Sequence, residues 1–389
     1  MMMTRAAAVL FLLAISAALA GAGPTEDALR VGEEAFAKKE YASAVTTWTN
    51  AYNERATAGT ADDETCATVL LKLADLLVQV GRAKEAVVCY ENLLVLRRKL
   101  GGEENLEMHK AKRALAAQIA NTGGNLDRAE QLAREAADGF GKLGGESSED
   151  RLVAMTTLAG VLLVKKERID AHEIYSQVLA LSEKDGAKSM KCAVEACNGM
   201  AAIADFFGRS KDKLQYMRKA VDLSRQHLGA HDPATYLARI DYAGAQSASG
   251  LNTDAKATYE GILADLEKKP PSPSERVLQQ RWAVAAYRLA YVESALDHPD
   301  RTYELAKEAL VHAKSGWGDL DANTMAVYLD LAKLHIMHKN FDEGVKCYQK
   351  VLDIRRRELG PDHESTRETQ KILNELLEDV RKAREAAKK

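Results

Sequence analysis

One short pattern of small residues returns along this chain at a nearly constant interval, and that interval restricts the fold more than any other feature. Aligning the chain on the residue that opens every second helix gives Ala44, Ala86, Ala129, Ala171, Lys213, Ala255, Thr302 and Gly344, at steps of 42, 43, 42, 42, 42, 47 and 42. Twelve positions before each stands Gly32, Ala74, Ala117, Ala159, Ala201, Ala243, Ala290 or Ala332. Seven positions after each stands Ala51, Leu93, Ala136, Val178, Ala220, Ile262, Ala309 or Val351. Four positions after each, most copies carry a large residue, Trp48, Tyr90, Tyr175, Met217, Tyr259 or Tyr348, with Ala133 and Ala306 as exceptions.

Small residues at these offsets let two antiparallel helices approach closely, and the large residue fills the groove between one pair and the next. A single hairpin cannot bury both of its faces; stacked neighbours do so, and their core is continuous. Gly81, Gly124, Gly208 and Gly250 mark the turn inside a hairpin, where a left-handed residue ends a helix, and Lys39, Lys166, Asp297 and Lys339 take that place elsewhere. The pattern predicts an all-α, right-handed superhelical solenoid of eight hairpins. They cover about 25–57, 66–100, 108–143, 149–184, 190–227, 233–268, 276–314 and 321–358. The one long step contains Lys268-Lys269-Pro270-Pro271-Ser272-Pro273, an elongated connector rather than a domain boundary, because the pattern resumes at Trp282. Residues 363–387 carry Ile372, Leu373, Leu376, Leu377 and Val380 on one stripe, as expected of a capping helix.

The chain has 389 residues, 46% apolar and 29% charged, which is enough for a large core and leaves no case for disorder. Its 54 Lys and Arg against 57 Asp and Glu provide no net field for phosphate backbones, so nucleic-acid binding is disfavoured. After Arg5, residues 6–20 read AAAVLFLLAISAALA. This run is too short for an ordinary spanning helix and ends in small residues, so residues 1–20 read as a signal peptide cleaved before Gly21. The mature chain, 21–389, is then expected to be one exported domain (secreted, periplasmic or lumenal) with no membrane insertion after cleavage.

Segments such as ALRVGEEAFAKKEYASAVTTWTNAY (28–52) and LLKLADLLVQVGRAKEAVVCYENLL (70–94) resemble the tetratricopeptide repeat, and the offsets favour it over HEAT or armadillo repeats of similar period. About eight residues are added to each copy relative to that repeat. They fall in the links between hairpins, as in LRRKLGGEEN (96–105), RQHLGAHDPAT (225–235) and RRRELGPDHEST (355–366), and look like the longer repeats of the kinesin light chain type. The resemblance implies an interaction surface and says little about the ligand.

No nucleophile elbow, phosphate loop, HExxH or CxxC pattern occurs, so an enzyme is not expected, nor a cofactor or small-molecule substrate. Cys66, Cys89, Cys192, Cys197 and Cys347 show no disulfide or zinc spacing and read as free, mostly buried thiols. His335 and His338 could share a helix face, but without a third ligand in phase they read as surface or core residues and no metal is expected. The terminal Arg381, Lys382, Arg384, Lys388 and Lys389 read as the solvated end of a helix.

The resemblance implies that first helices line a concave groove. At its amino end it offers Leu71 and Asp75, in its small, neutral middle Gln118 and Asn198, and at its carboxyl end Tyr287, Arg288, Tyr291 and Lys333. Leu115 and Ile240 fall on the same wall by spacing. The carboxyl-end group could hold an acidic or aromatic anchor, or its tyrosines could simply pack on hairpin eight. The expected function is a non-catalytic scaffold binding a peptide or protein segment; the alternative is a structural subunit of an envelope, lumenal or surface assembly that uses the convex face or end cap.

Overall fold

The computed structural model describes residues 24–144, 148–185 and 189–386. The expected signal segment, Lys388 and Lys389 lie outside them. Among the described residues there are seventeen α-helices and no strand. The chain divides into two compact units, residues 1–199 and 200–389, and the division falls inside one helix.

In the first unit the helices are α1 (Pro24–Ala37), α2 (Tyr41–Thr57), α3 (Glu64–Gln79), α4 (Ala83–Gly101), α5 (Leu106–Asn121), α6 (Leu126–Gly144), α7 (Glu149–Val164) and α8 (Arg168–Asp185). Helix α9 (Met190–Phe206) carries the division. The second unit continues with α10 (Ser210–Leu228), α11 (Pro233–Ala248), α12 (Asn252–Lys268), α13 (Arg276–Ala295), α14 (Pro299–Gly316), α15 (Ala322–Met337), α16 (Phe341–Leu359) and α17 (Glu364–Ala386). Odd and even helices pair as hairpins, so the architecture is an all-α array of tetratricopeptide-like hairpins with a terminal helix.

The periodic small residues are where the helices cross. Ala44, Ala86, Ala129, Ala171 and Ala255 are all completely buried. So are Ala74, Ala159, Ala243 and Ala332 on the facing helices. Contact is closest at glycine: a β-carbon at Gly32 would lie 2.1 Å from Nε1 of Trp48, which donates to the Leu29 carbonyl at 3.4 Å. First helices begin on connector side chains, Asp63 accepting from the Cys66 amide at 2.9 Å and Asn105 from Met108 at 2.9 Å.

Hairpin turns place Gly81, Gly208 and Gly250 at positive φ, and Lys39, Lys166, Asp297 and Lys339 as well. In the third hairpin the left-handed residue is Gly123, not the expected Gly124. Thr122 Oγ1 donates to the Gln118 and Ile119 carbonyls there, closing α5 one residue early. The added residues of each copy extend the second helix before a left-handed stop at Gly102, Gly229 or Gly360. Arg97, in one such extension, is buried and reaches Glu64 at 2.8 Å.

The proline-rich link joins α12 to α13 within the second unit, and Gln279 Nε2 holds it by donating to the Pro271 carbonyl at 2.8 Å. Helix α17 buries Leu373 and Leu376 with Thr366 and Thr369, whereas Ile372 and Leu377 stay on the exposed rim. The stripe that covers α16 is therefore narrower than the sequence pattern. None of the described helices is long and apolar enough to cross a membrane.

Candidate peptide-binding clefts

Where a Trp or Tyr stands near the start of a second helix, it closes the space beside its own first helix or the next one. Trp48, Tyr90, Tyr175, Tyr259 and Tyr348 are all buried. The Tyr90 hydroxyl donates to Asp75, Tyr259 Oη donates to the Ile240 carbonyl at 3.3 Å, and the Tyr175 ring lies where a β-carbon on Gly199 would come within 2.3 Å. The third and seventh hairpins have alanine instead, Ala133 and Ala306, and the structure has an open cleft beside each of these hairpins.

The cleft at hairpin seven lies in the second unit, between α13 and α15, and has a volume of about 190 Å³. Ala290, Ala306, Leu334 and Met337 form its apolar surface, and Tyr287, Tyr291 and Asp330 its polar edge. Tyr287 Oη donates to Asp330 Oδ2 at 2.6 Å, Tyr291 donates to the same oxygen, and Lys333 Nζ lies 2.8 Å from Oδ1. Burial alone would raise the Asp330 pKa, but these donors bring it below the usual carboxylate value. Burial and the same carboxylate push both tyrosines up. The rings meet edge to face at 5.1 Å, Tyr291 is 55% exposed, and both hydroxyls are engaged.

This network changes what the carboxyl-end group can recognise. Lys333 is neutralised by Asp330, and Arg288 turns toward Asp241, 3.8 Å away, and toward Gly244, where a β-carbon would meet its Nη1 at 2.8 Å. The tyrosines do engage hairpin eight, through Asp330. Thus Tyr287, Tyr291 and Lys333 converge on one cleft while Arg288 faces elsewhere, and the cleft suits an apolar or aromatic group better than an acid.

The second cleft lies in the first unit and is lined by Ala117, Asn121, Thr156, Thr157, Gly160, Val164 and Glu195, among others. Thr156 and Thr157 donate their hydroxyls to the Leu152 and Val153 carbonyls at 2.8 and 2.9 Å. Repeat offsets place Ala117, Thr157, Gly160 and Val164 where hairpins seven and eight have Ala290, Asp330, Lys333 and Met337. Of the remaining groove candidates, Leu71 is partly buried, Asp75 is taken by Tyr90, Gln118 accepts from Asn121 at 3.4 Å and Asn198 is exposed. Leu115 and Ile240 are completely buried and do not line the groove; they sit on helix flanks that adjacent hairpins cover. Spacing places Asp330 on the groove wall but misses Met337 and Glu195 as cleft residues. Of the two exceptions, Ala306 lies in the wall of the first cleft, whereas Ala133 is buried and does not line the second.

His335 is buried with Nδ1 3.0 Å from the Tyr303 hydroxyl, and His338 stacks on the same tyrosine ring with centroids 4.6 Å apart. No cluster of three or more metal-ligating side chains occurs among the described residues. Cys66, Cys192, Cys197 and Cys347 are buried free thiols and Cys89 is partly buried. Arg381 pairs with Glu378 of its own helix at 2.7 Å.

Residues 324–365 match the family model described as tetratricopeptide repeat, which covers hairpin eight and the start of α17. No curated protein matches the sequence. Among solved structures, a signal transduction ATPase with a tetratricopeptide repeat sensor from Pyrococcus horikoshii is 13% identical with a TM-score of 0.53, the alignment covering 90% of this chain and 55% of that one. BtubC from P. vanneervenii is 15% identical with a TM-score of 0.50, over 60% of this chain and 92% of that one. A tetratricopeptide repeat protein from Parabacteroides merdae is 15% identical with a TM-score of 0.48, over 80% and 99%. These likenesses are of fold.

Proposed function

Because the fold is an array of tetratricopeptide-like hairpins, we propose that the chain is a non-catalytic scaffold that binds an extended peptide or protein segment, with an apolar or aromatic side chain of the partner entering the cleft at Ala306. The observation that carries this reading is the missing large residue: five other copies bury a Trp or Tyr at the same position. The partner supplies from outside the apolar contact that the hairpin lacks, and neighbouring backbone and rim groups set its orientation. Residues 6–20 support export, and mass spectrometry of the protein from its native host should then find Gly21 at the amino terminus.

Selection of displayed random dodecapeptides on the purified protein tests the reading. Ala306→Tyr restores the side chain other copies carry and should abolish capture of peptides with an apolar anchor, with the helical circular dichroism retained. Undiminished capture by this variant would remove the cleft from the proposal. Light scattering on the eluting protein separates the assembly reading, which requires a stable complex rather than reversible binding.

A further inference from the structure

We infer that the cleft beside hairpin three, in the first unit, takes a basic side chain of the bound segment, a lysine or arginine whose cation pairs with Glu195. The inference rests on the peptide-scaffold reading and names the chemistry of one of its positions.

Three observations converge on this cleft. Its floor mixes polar and apolar groups, and the two threonine hydroxyls there are already donated to carbonyls of their own helix. Gly160 leaves the middle unobstructed: a β-carbon there would have nothing within 4 Å. At one side stands Glu195, an exposed carboxylate with no hydrogen-bond or ion-pair partner among the described residues, whereas Glu33 pairs with Lys72 at 2.9 Å and Asp75 accepts from Tyr90. A basic residue matches all three. Its methylene stem can lie along Val153, Val161 and Val164, its length reaches across the glycine, and its head supplies a cation for Glu195.

The surrounding walls also act on that carboxylate. Desolvation by them raises the Glu195 pKa, against the opposing pull of Lys191 one turn earlier on α9. An incoming cation would offset that penalty, whereas an acidic side chain would meet a like charge and a neutral one would leave the carboxylate to water.

Fluorescence anisotropy with amidated nonapeptide pools tests the assignment. The central residue is fixed as Lys, Arg, norleucine, Gln or Glu and the flanking positions are randomised. The Lys and Arg pools should bind about tenfold tighter than the Gln and Glu pools, as expected of a charge-assisted contact. Glu195→Gln should erase that preference, and Gly160→Leu, which fills open space without disturbing its helix, should weaken the Lys and Arg pools. Equal binding of Lys and Glu pools, or a preference that survives Glu195→Gln, overturns the inference and leaves the scaffold reading standing. If no pool binds the folded protein, the scaffold reading fails and this inference with it.

Discussion

Gly139 on α6 lies against the imidazole of His109 on α5, so close that a β-carbon at 139 would come within 2.0 Å of the ring's Cε1. The ring is buried and also meets Phe140 edge to face at 5.7 Å, which leaves it little room to retreat. Gly139→Ala should therefore destabilise the protein by about 1–3 kcal/mol through overpacking, despite the better helix propensity of alanine. Urea unfolding reads this directly. An unchanged midpoint would show that the ring has somewhere to move.

The same imidazole predicts a pH response. Neither ring nitrogen of His109 has a hydrogen-bond partner, and burial, then Lys112, holds its pKa below the ordinary value. Lys142 adds to that effect, while Glu104 and Glu135 oppose it. A depressed histidine pKa means that the unfolded chain binds the proton more readily, so this contribution to stability is present above the unfolded pKa of about 6.5 and is lost as pH falls through it. His109→Leu should flatten the dependence of Tm on pH between about 7 and 5. A slope equal to that of the parent protein would exclude His109 as its origin.

Gly160 should behave in the opposite way to Gly139. It sits inside α7 with open space where its side chain would be. Gly160→Ala is expected to stabilise the protein by about 0.5–1 kcal/mol by removing backbone freedom from the unfolded chain. Thermal unfolding of the two alanine variants side by side should move Tm in opposite directions.

Glu293 ties α13 to two neighbours. Its carboxylate is buried, 2.9 Å from Lys256 Nζ on α12 and 2.6 Å from His298 Nδ1 at the following turn. Burial opposes ionisation, but these two partners outweigh it and bring the pKa below the usual value. Stability from this group is present above the unfolded glutamate pKa of about 4.3 and is lost as pH falls through the lower folded value. Glu293→Ala should cost about 2 kcal/mol at neutral pH, less than a fully enclosed ion pair because both partners are partly exposed. Denaturant titrations at pH near 7 and near 3 should show the deficit shrinking in acid.

The helices were legible in the sequence because their signals are local and recur in most of the eight copies: the small crossing residues, the left-handed stops and the large residue four positions on. Side-chain networks were not legible. Nothing in the spacing of Tyr287, Tyr291 and Lys333 reveals that all three spend their polar atoms on Asp330, because that convergence depends on how α13 meets α15. The groove phase failed at Leu115 and Ile240 for a related reason. Burial on a helix flank is decided by the adjacent hairpin, which a pattern read along one helix does not contain. The third turn differed through a single hydroxyl, that of Thr122, competing for carbonyls beside two adjacent glycines.

The alanine at 306 has an evolutionary consequence. If its cleft binds as proposed, the position arises by leaving out one side chain, since the repeat already supplies walls and rim. A tyrosine there could close it, whereas opening a comparable gap in another copy removes a buried ring at a cost of about 3–5 kcal/mol, so such positions are expected only where the array has stability to spare.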